Sequence, residues 1–211
     1  MIIRWHGHSC FEIDTGARIV IDPHDGRSIG LRPPRASADL VLITHDHFDH
    51  NAVRVVNGSF KVIKEPGEYA FSGIKIKGIK AYHDTENGRR RGEITMFKVI
   101  SEGISLLHVG DLGHVLLPDQ ISEIGHVDVL MTPVGGTYTV GPKEAYENVK
   151  LLKPSVIIPM HYKVPGLSLN LGPVDDFLKF FPESSVIYVG SSVEFTREDL
   201  MESPQVWVFS L

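Results

Sequence analysis

"LVLITHDHFDHN", residues 40–51, places three histidines and two aspartates in the six positions 45–50, directly behind an apolar run. The run reads as a buried strand. His45, His47, Asp49 and His50 then fall at its carboxyl end, where the chain leaves the sheet and side chains can converge. While the chain is still extended, His45 and His47 point to the same side. The turn that follows carries Asp49 and His50 to a second point nearby. Imidazole and carboxylate suit zinc, iron or manganese, and two subsets in one short segment suggest two metals. The other reading is a solvated polar turn. Five ionisable groups in six residues behind a buried strand weigh against it.

Outward from this stretch, the first half of the chain is rich in hairpins. "IIRW", "CFEID" and "ARIVID" read as opening strands with Gly16 in a turn. "GIKIKGIKAYH" alternates as a half-buried strand or as a pair bent at Gly78. "EITMFKVI" and "ISLLHVG" flank "SEG" as a hairpin. From residue 127 strands and helices alternate. "VDVLMTP", "SVIIPMH", "SVIYVG" and "QVWVF" are strands. "GPKEAYENVKLL" has Pro142 at a helix start and Ala145, Val149 and Leu152 on one face. "GPVDDFLKFF" sets Val174, Phe177, Leu178 and Phe181 at helical spacing. Residues 26–38, rich in Gly, Pro and Ser, read as a surface loop. Apolar helix faces need a sheet to cover, so the expected architecture is an α/β sandwich of four layers, αββα, with two mixed β-sheets face to face and helices outside.

A chain of 211 residues with 42% hydrophobic and 22% charged residues is expected to form a single domain over 1–211. Its formal charge of -5 argues against nucleic acid as a partner. No run of about 18 apolar residues occurs, so no membrane span is expected. The single cysteine, Cys10, makes no internal disulfide, and "MIIRWHG" lacks the features of a secretory signal. The expected location is cytoplasmic, and a homo-oligomer is left open.

"THDHFDH" resembles the HxHxDH signature of the metallo-β-lactamase superfamily, whose fold is the αββα sandwich. That resemblance implies a third histidine from a later strand, an aspartate bridging two metals, and a last histidine late in the chain. His83 in "IKAYHD", Asp111 in "LLHVGDLGH" and His161 in "VIIPMHY" answer to these, each at the end of an expected strand. "IRWHGHSCFEI", "IVIDP", "TPVGGTYTVGP" and "IPMHY" are similar to the small single-domain branch of metal-dependent hydrolases that includes the ascorbate-6-phosphate lactonases. "GDLG" stands where many relatives have Thr after the aspartate.

The resulting expectation is a dinuclear metal-dependent hydrolase. His45, His47 and His83 would hold one divalent metal and Asp49, His50 and His161 the other, with Asp111 shared. Zinc is the expected ion, with manganese or iron as the other candidates. A hydroxide held between two metals would attack an ester, lactone or similar bond of a small, anionic or neutral metabolite, with Asp49 and Asp111 catalytic. One alternative is a phosphodiesterase acting on a nucleotide, nucleic acid or phospholipid. Another is an iron-binding redox protein.

His8 alternates with His6 along the first strand and is read as lining the substrate site, while His6, His24, His108, His114 and His126 are read as structural or surface groups. Asp22, in "IDP", either orients a ligand histidine or caps a turn. "ENGRRRGE", residues 86–93, puts Arg89, Arg90 and Arg91 within a loop's reach of the metals, where one of them can clamp a phosphate or carboxylate. Thr137 and Tyr138 in "GGTYTVGP" would form the facing wall as hydrogen-bond donors.

Overall fold

The computed structural model describes residues 1–201 and 203–211. In chain order it contains β1 (Ile2–Trp5), β2 (Phe11–Asp14), β3 (Arg18–Ile21), β4 (Leu40–Leu42), β5 (Lys61–Ile63), β6 (Gly67–Phe71), β7 (Ile74–Tyr82), β8 (Glu93–Ser101) and β9 (Ile104–His108). Helix α1 (Pro118–Ile124), β10 (Val129–Pro133), α2 (Pro142–Leu152), β11 (Val156–Met160), α3 (Asp175–Leu178), β12 (Val186–Gly190), β13 (Ser192–Glu194) and β14 (Gln205–Phe209) follow. They build two mixed sheets. One has six strands in the order β13-β1-β2-β3-β4-β5, the other eight in the order β12-β14-β11-β10-β9-β8-β7-β6.

Turn chemistry explains the hairpins. Glu102 (φ 54°) and Gly103 (φ 74°) link β8 to β9, and Ser72 (φ 48°) and Gly73 (φ 82°) link β6 to β7. Two consecutive positive φ values give the turn whose twist matches that of paired strands. β7 runs unbroken through Gly78, whose missing side chain makes room for the Glu65 carbonyl, 2.7 Å from where a Cβ would stand.

The faces of the two sheets enclose one core that includes Ile3, Phe11, Ile13, Ile79, Phe97 and Leu106. Strands β10 and β11 are buried along their whole length. This follows from their position, with the core on one face and helix on the other. Helix α2 starts at Pro142, turns Ala145, Val149 and Leu152 inward, and ends at Lys153 in the left-handed conformation. The expected second helix over 172–181 forms as the single turn α3 with Phe177 buried, and Tyr146 of α2 stacks on Phe180 at 4.8 Å.

The sandwich is thinner on the side of the six-stranded sheet. There the outer layer is irregular chain: Ala36, Ala38 and Val56 pack with Cys10, Val20, Val41 and Ile43 in a separate small cluster. The loop 26–38 therefore covers a sheet face as well as lying at the surface. Among the described residues no helix is long and apolar enough to cross a membrane.

Candidate metal centre

The strand ends bring the chemistry together. Asp22 follows β3, His45 to His50 follow β4, His83 follows β7, Asp111 follows β9 and His161 follows β11. Ligating atoms of His45, His47 and His83 lie within 4.8 Å of one another, and so do those of His8, Asp49, His50 and His161. Asp111 stands between the groups. Its Oδ2 is 3.4 Å from His83 Nε2, 3.9 Å from His45 Nε2 and 3.2 Å from His161 Nε2, and its Oδ1 is 3.3 Å from His50 Nε2. Asp22, His8 and His161 are held at φ 49°, 55° and 53°. Such left-handed backbone in non-glycine residues is uncommon and concentrates at functional sites.

Hydrogen bonds behind the rings fix which nitrogen faces inward. Asp22 accepts the Thr44 N–H at 2.8 Å and the Thr44 hydroxyl at 2.6 Å. Having given its proton to Asp22, that hydroxyl accepts from His45 Nδ1 at 2.9 Å. Asp22 also accepts from His50 Nδ1 at 2.8 Å. Both rings thus carry their proton on Nδ1 and turn a bare Nε2 to the site. Neither Nε2 has a hydrogen-bond partner, although both are buried. Asp22 is therefore an orienting group, and the Thr44 hydroxyl is its relay to His45, a role not expected from the sequence.

The electrostatics fit a cation. Burial is the chief reason that the His45 imidazole is pushed down to about 3 and that of His83 to about 4, so both present neutral lone pairs at pH 7. Burial also opposes ionisation of Asp49 and Asp111. The His8 bond nevertheless holds Asp49 low, and His161 and His50 hold Asp111 well below the usual carboxylate range. Burial likewise works against a charge on His50, yet the carboxylates of Asp111 and Asp22 on either side raise it well above its ordinary value. Two buried carboxylates thus call for positive charge beside His50, and a divalent ion on its deprotonated Nε2 would supply it in place of a second proton. Neutral imidazoles, anionic carboxylates and unpartnered inward nitrogens make a donor set that divalent ions fit.

His8 differs from its expected place. It lies past the end of β1 in the turn that closes through the Cys10 N–H to Gly7 O bond. The ring is fully buried and its Nε2 lies 3.0 Å from Asp49 Oδ2, so it braces Asp49 rather than lining a substrate space. The remaining histidines have other partners. His108 bonds Ser9 O and the Gly110 N–H, His24 bonds His6 O, His114 bonds Val115 O and the Tyr82 N–H, His126 bonds Asp128, and His6 meets Glu12. Cys10 is fully buried, and that burial raises its thiol well above the usual range.

A cavity of about 270 Å3 opens over the cluster, lined by His47, Phe48, Asp49, His83, Arg91, Asp111, Tyr138, His161 and Leu169. Of the three arginines only Arg91 lines it. Arg90 turns to Glu86 at 2.8 Å, and Arg89, exposed as Arg91 is, lies outside the lining. Thr137 is also exposed and off the cavity wall, whereas Tyr138 forms part of that wall. Asp84 sets the shape of the arginine loop by accepting the backbone N–H groups of Glu86, Gly88, Arg90 and Arg91 at 2.7 to 2.9 Å. The sequence signal for this was an aspartate ahead of Asn and Gly, the composition of an Asx turn. A wider groove of about 800 Å3, between Trp5, Arg32, Arg35 and Pro165, includes none of the clustered ligating side chains.

Residues 2–161 match the family model described as the beta-lactamase superfamily domain. A UPF0173 metal-dependent hydrolase of Thermoplasma acidophilum is 32% identical over 185 residues, which is 76% of this chain and 82% of the relative. A crystal structure from Thermotoga maritima, described as a candidate zinc-dependent hydrolase of the metallo-β-lactamase superfamily, aligns with a TM-score of 0.82 and 44% identity over 99% of this chain and 97% of its own. A metal-dependent hydrolase candidate from Parabacteroides distasonis has the same fold at a TM-score of 0.70 and 18% identity, over 98% of this chain and 91% of its own.

Proposed function

The chain belongs to the beta-lactamase superfamily domain family, and from that premise we propose that residues 1–211 form one domain working as a dinuclear metal-dependent hydrolase on an ester or lactone bond of a small metabolite. One observation carries this reading: Asp111 lies between two groups of ring nitrogens, at 3.2 to 3.9 Å from four histidines. His45, His47 and His83 are the proposed ligands of one ion and Asp49, His50 and His161 those of the other, with Asp111 shared. Zinc is the proposed ion. Ions bound there would lower the pKa of water and polarise the substrate's carbonyl oxygen.

The protein's own groups do the rest. Asp22 and Thr44 keep the His45 and His50 rings turned inward. Asp49, held by His8 through Oδ2, lines the cavity and in this reading would take the proton of the attacking water and pass it to the leaving group. Phe48, Tyr138 and Leu169 line the same cavity and limit water around the scissile bond. At about 270 Å3 the space sits just under the ~300–1,000 Å3 usual for small-molecule sites, which favours a small metabolite over a polymer.

The test is elemental analysis of protein purified without added metal, followed by a hydrolysis screen of lactones, aryl esters and bis-p-nitrophenyl phosphate. Bound zinc with chelator-sensitive turnover of a lactone or ester is the expected result. Protein that takes up no transition metal would overturn the proposal, and turnover of the phosphodiester alone would move it to phosphodiester chemistry.

A further inference from the structure

We infer that Arg91, held over the Tyr138 ring at the wall of the metal cavity, is a seat for an anionic group, a carboxylate or phosphate, carried by the substrate at a distance from the bond that is cut. The inference rests on the hydrolase reading for what that anion is attached to. Its physical basis is separate from that reading.

The Arg91 guanidinium lies over the Tyr138 ring at 5.1 Å. A cation–π contact of this kind restrains the guanidinium without using its N–H groups, which stay free to donate. Among the described residues no carboxylate pairs with Arg91, although Arg90 beside it pairs with Glu86, and Lys80 on the adjoining strand pairs with Glu93. The cavity lined by Arg91 also contains His47, Asp49, His83 and His161. Asp111 lines the same cavity, and Arg91 is exposed at its wall, so an anion entering the cavity exchanges water for the free N–H groups of the guanidinium.

The backbone commits this arginine to its place. Asp84 directly follows His83 and accepts the Arg91 N–H at 2.8 Å. The Gly92 N–H bonds Gly88 O at 3.0 Å, and the His83 N–H bonds Gly92 O at 3.0 Å. The loop is thereby pinned at both ends to a proposed metal ligand, so Arg91 keeps a fixed distance from the reacting centre. Tyr138 is fixed from behind, packing with the buried cluster of Ile29, Leu167 and Leu171. Its role is a platform for the guanidinium. A guanidinium with two parallel N–H groups free matches a carboxylate or phosphate in bidentate fashion.

The experiment compares the zinc-loaded wild type with Arg91→Ala, Arg91→Lys and, as controls, Arg89→Ala and Arg90→Ala. Calorimetric titration with succinate and with inorganic phosphate reads binding without turnover. For at least one of these anions Arg91→Ala is expected to weaken Kd about tenfold or more at unchanged zinc content, with Arg91→Lys recovering only part and both controls matching wild type. The anion with the larger loss identifies the group. Equal Kd values in wild type and Arg91→Ala for both anions would overturn the inference. Steady-state assays pair neutral p-nitrophenyl acetate with anionic mono-p-nitrophenyl succinate. A rise in KM confined to the succinate ester supports the seat, and equal losses on both esters refute it. If no lactone, ester or phosphodiester of the hydrolysis screen is turned over while anion binding still depends on Arg91, the hydrolase reading fails and the seat stands.

Discussion

Asp22 Oδ2 and His50 Nδ1 meet at 2.8 Å with both side chains fully buried, and the same carboxylate holds Thr44 by its amide and its hydroxyl. One acid from the end of β3 thus sets the tautomer of His50 directly and that of His45 through the Thr44 hydroxyl. Replacing Asp22 by Asn tests this control. Asn tolerates the φ of 49° and keeps one oxygen, but its amide N–H groups donate. Facing a donor, His50 Nδ1 becomes an acceptor and its proton moves to Nε2, which removes the inward lone pair. Zinc affinity is expected to fall by about 10- to 100-fold in a folded protein. Wild-type affinity in a chelator competition assay would remove Asp22 from this role.

The proposed shared position of Asp111 gives a second expectation. Saturated wild-type protein should carry two ions per chain, and Asp111→Asn should lower occupancy of both positions together and abolish turnover. Elemental analysis that finds a single ion in the wild type, or loss of only one ion in the variant, would contradict sharing. Circular dichroism should leave the fold of Asp111→Asn unchanged, because Asp111 lies beyond the end of β9 and its Oδ1 has no hydrogen-bond partner to lose.

How much of this was legible depended on whether a residue's partners were near it in sequence. The hairpin at Ser101–Ile104, helix α2 behind Pro142 and the buried strands β10 and β11 carry their signals within a few residues, and they formed where periodicity put them. Clustering of His45, His47, His83, Asp111 and His161 was expected through a family resemblance, since spacing alone does not say which strand ends meet. Three features were hidden. His8 reads as a strand residue by alternation, yet Gly7 at φ 90° and His8 at φ 55° turn the chain and send the ring behind Asp49. The three arginines look equivalent in sequence, and it is the ring of Tyr138, 47 residues further on, that singles out Arg91. Among the described residues the six-stranded sheet has no outer α-helix, only the 3-10 turns Arg27–Ile29 and Val53–Val55, because residues 26–38 bring Ile29, Ala36 and Ala38 as their fully buried aliphatic side chains, too sparse for a helix face.

Gly113 offers a test of how the site depends on backbone packing. A Cβ there would lie 2.3 Å from both the Asp84 nitrogen and the His83 carbonyl carbon. Neither is the end of a flexible side chain, so Gly113→Ala must move the segment that carries His83. Overpacking of this kind costs about 1–3 kcal/mol. A matched control is Gly103→Ala, in the β8–β9 hairpin, where φ is 74° and nothing lies within 4 Å of the added atom. There the cost is confined to left-handed strain of about 1–2 kcal/mol. Both variants should melt at lower temperature, and only Gly113→Ala should also weaken zinc binding. Equal zinc affinity in the two would separate Gly113 from the site.

The last expectation concerns acid stability and lies away from the metal cluster. Asp128, just before β10, accepts the Ser105 amide and hydroxyl, each at 2.8 Å, and pairs with His126 at 2.8 Å and with Arg197. Burial opposes its charge, but these donors hold its carboxyl down at about 2, against about 3.9 for a free aspartate. A carboxylate with a depressed folded-state pKa binds protons more readily in the unfolded chain. Its stabilisation, about 2 kcal/mol here, is therefore complete above the unfolded value and is lost as pH falls from about 4 through about 2. The Asp128→Asn variant should be less stable than wild type at pH 7 and should lose less on acidification across that window. Urea midpoints at pH 7, 4 and 2.5 measure both effects. If the gap between the two proteins stays constant over those three values, the Asp128 bonds contribute nothing to acid sensitivity, and their stabilising role is independent of charge.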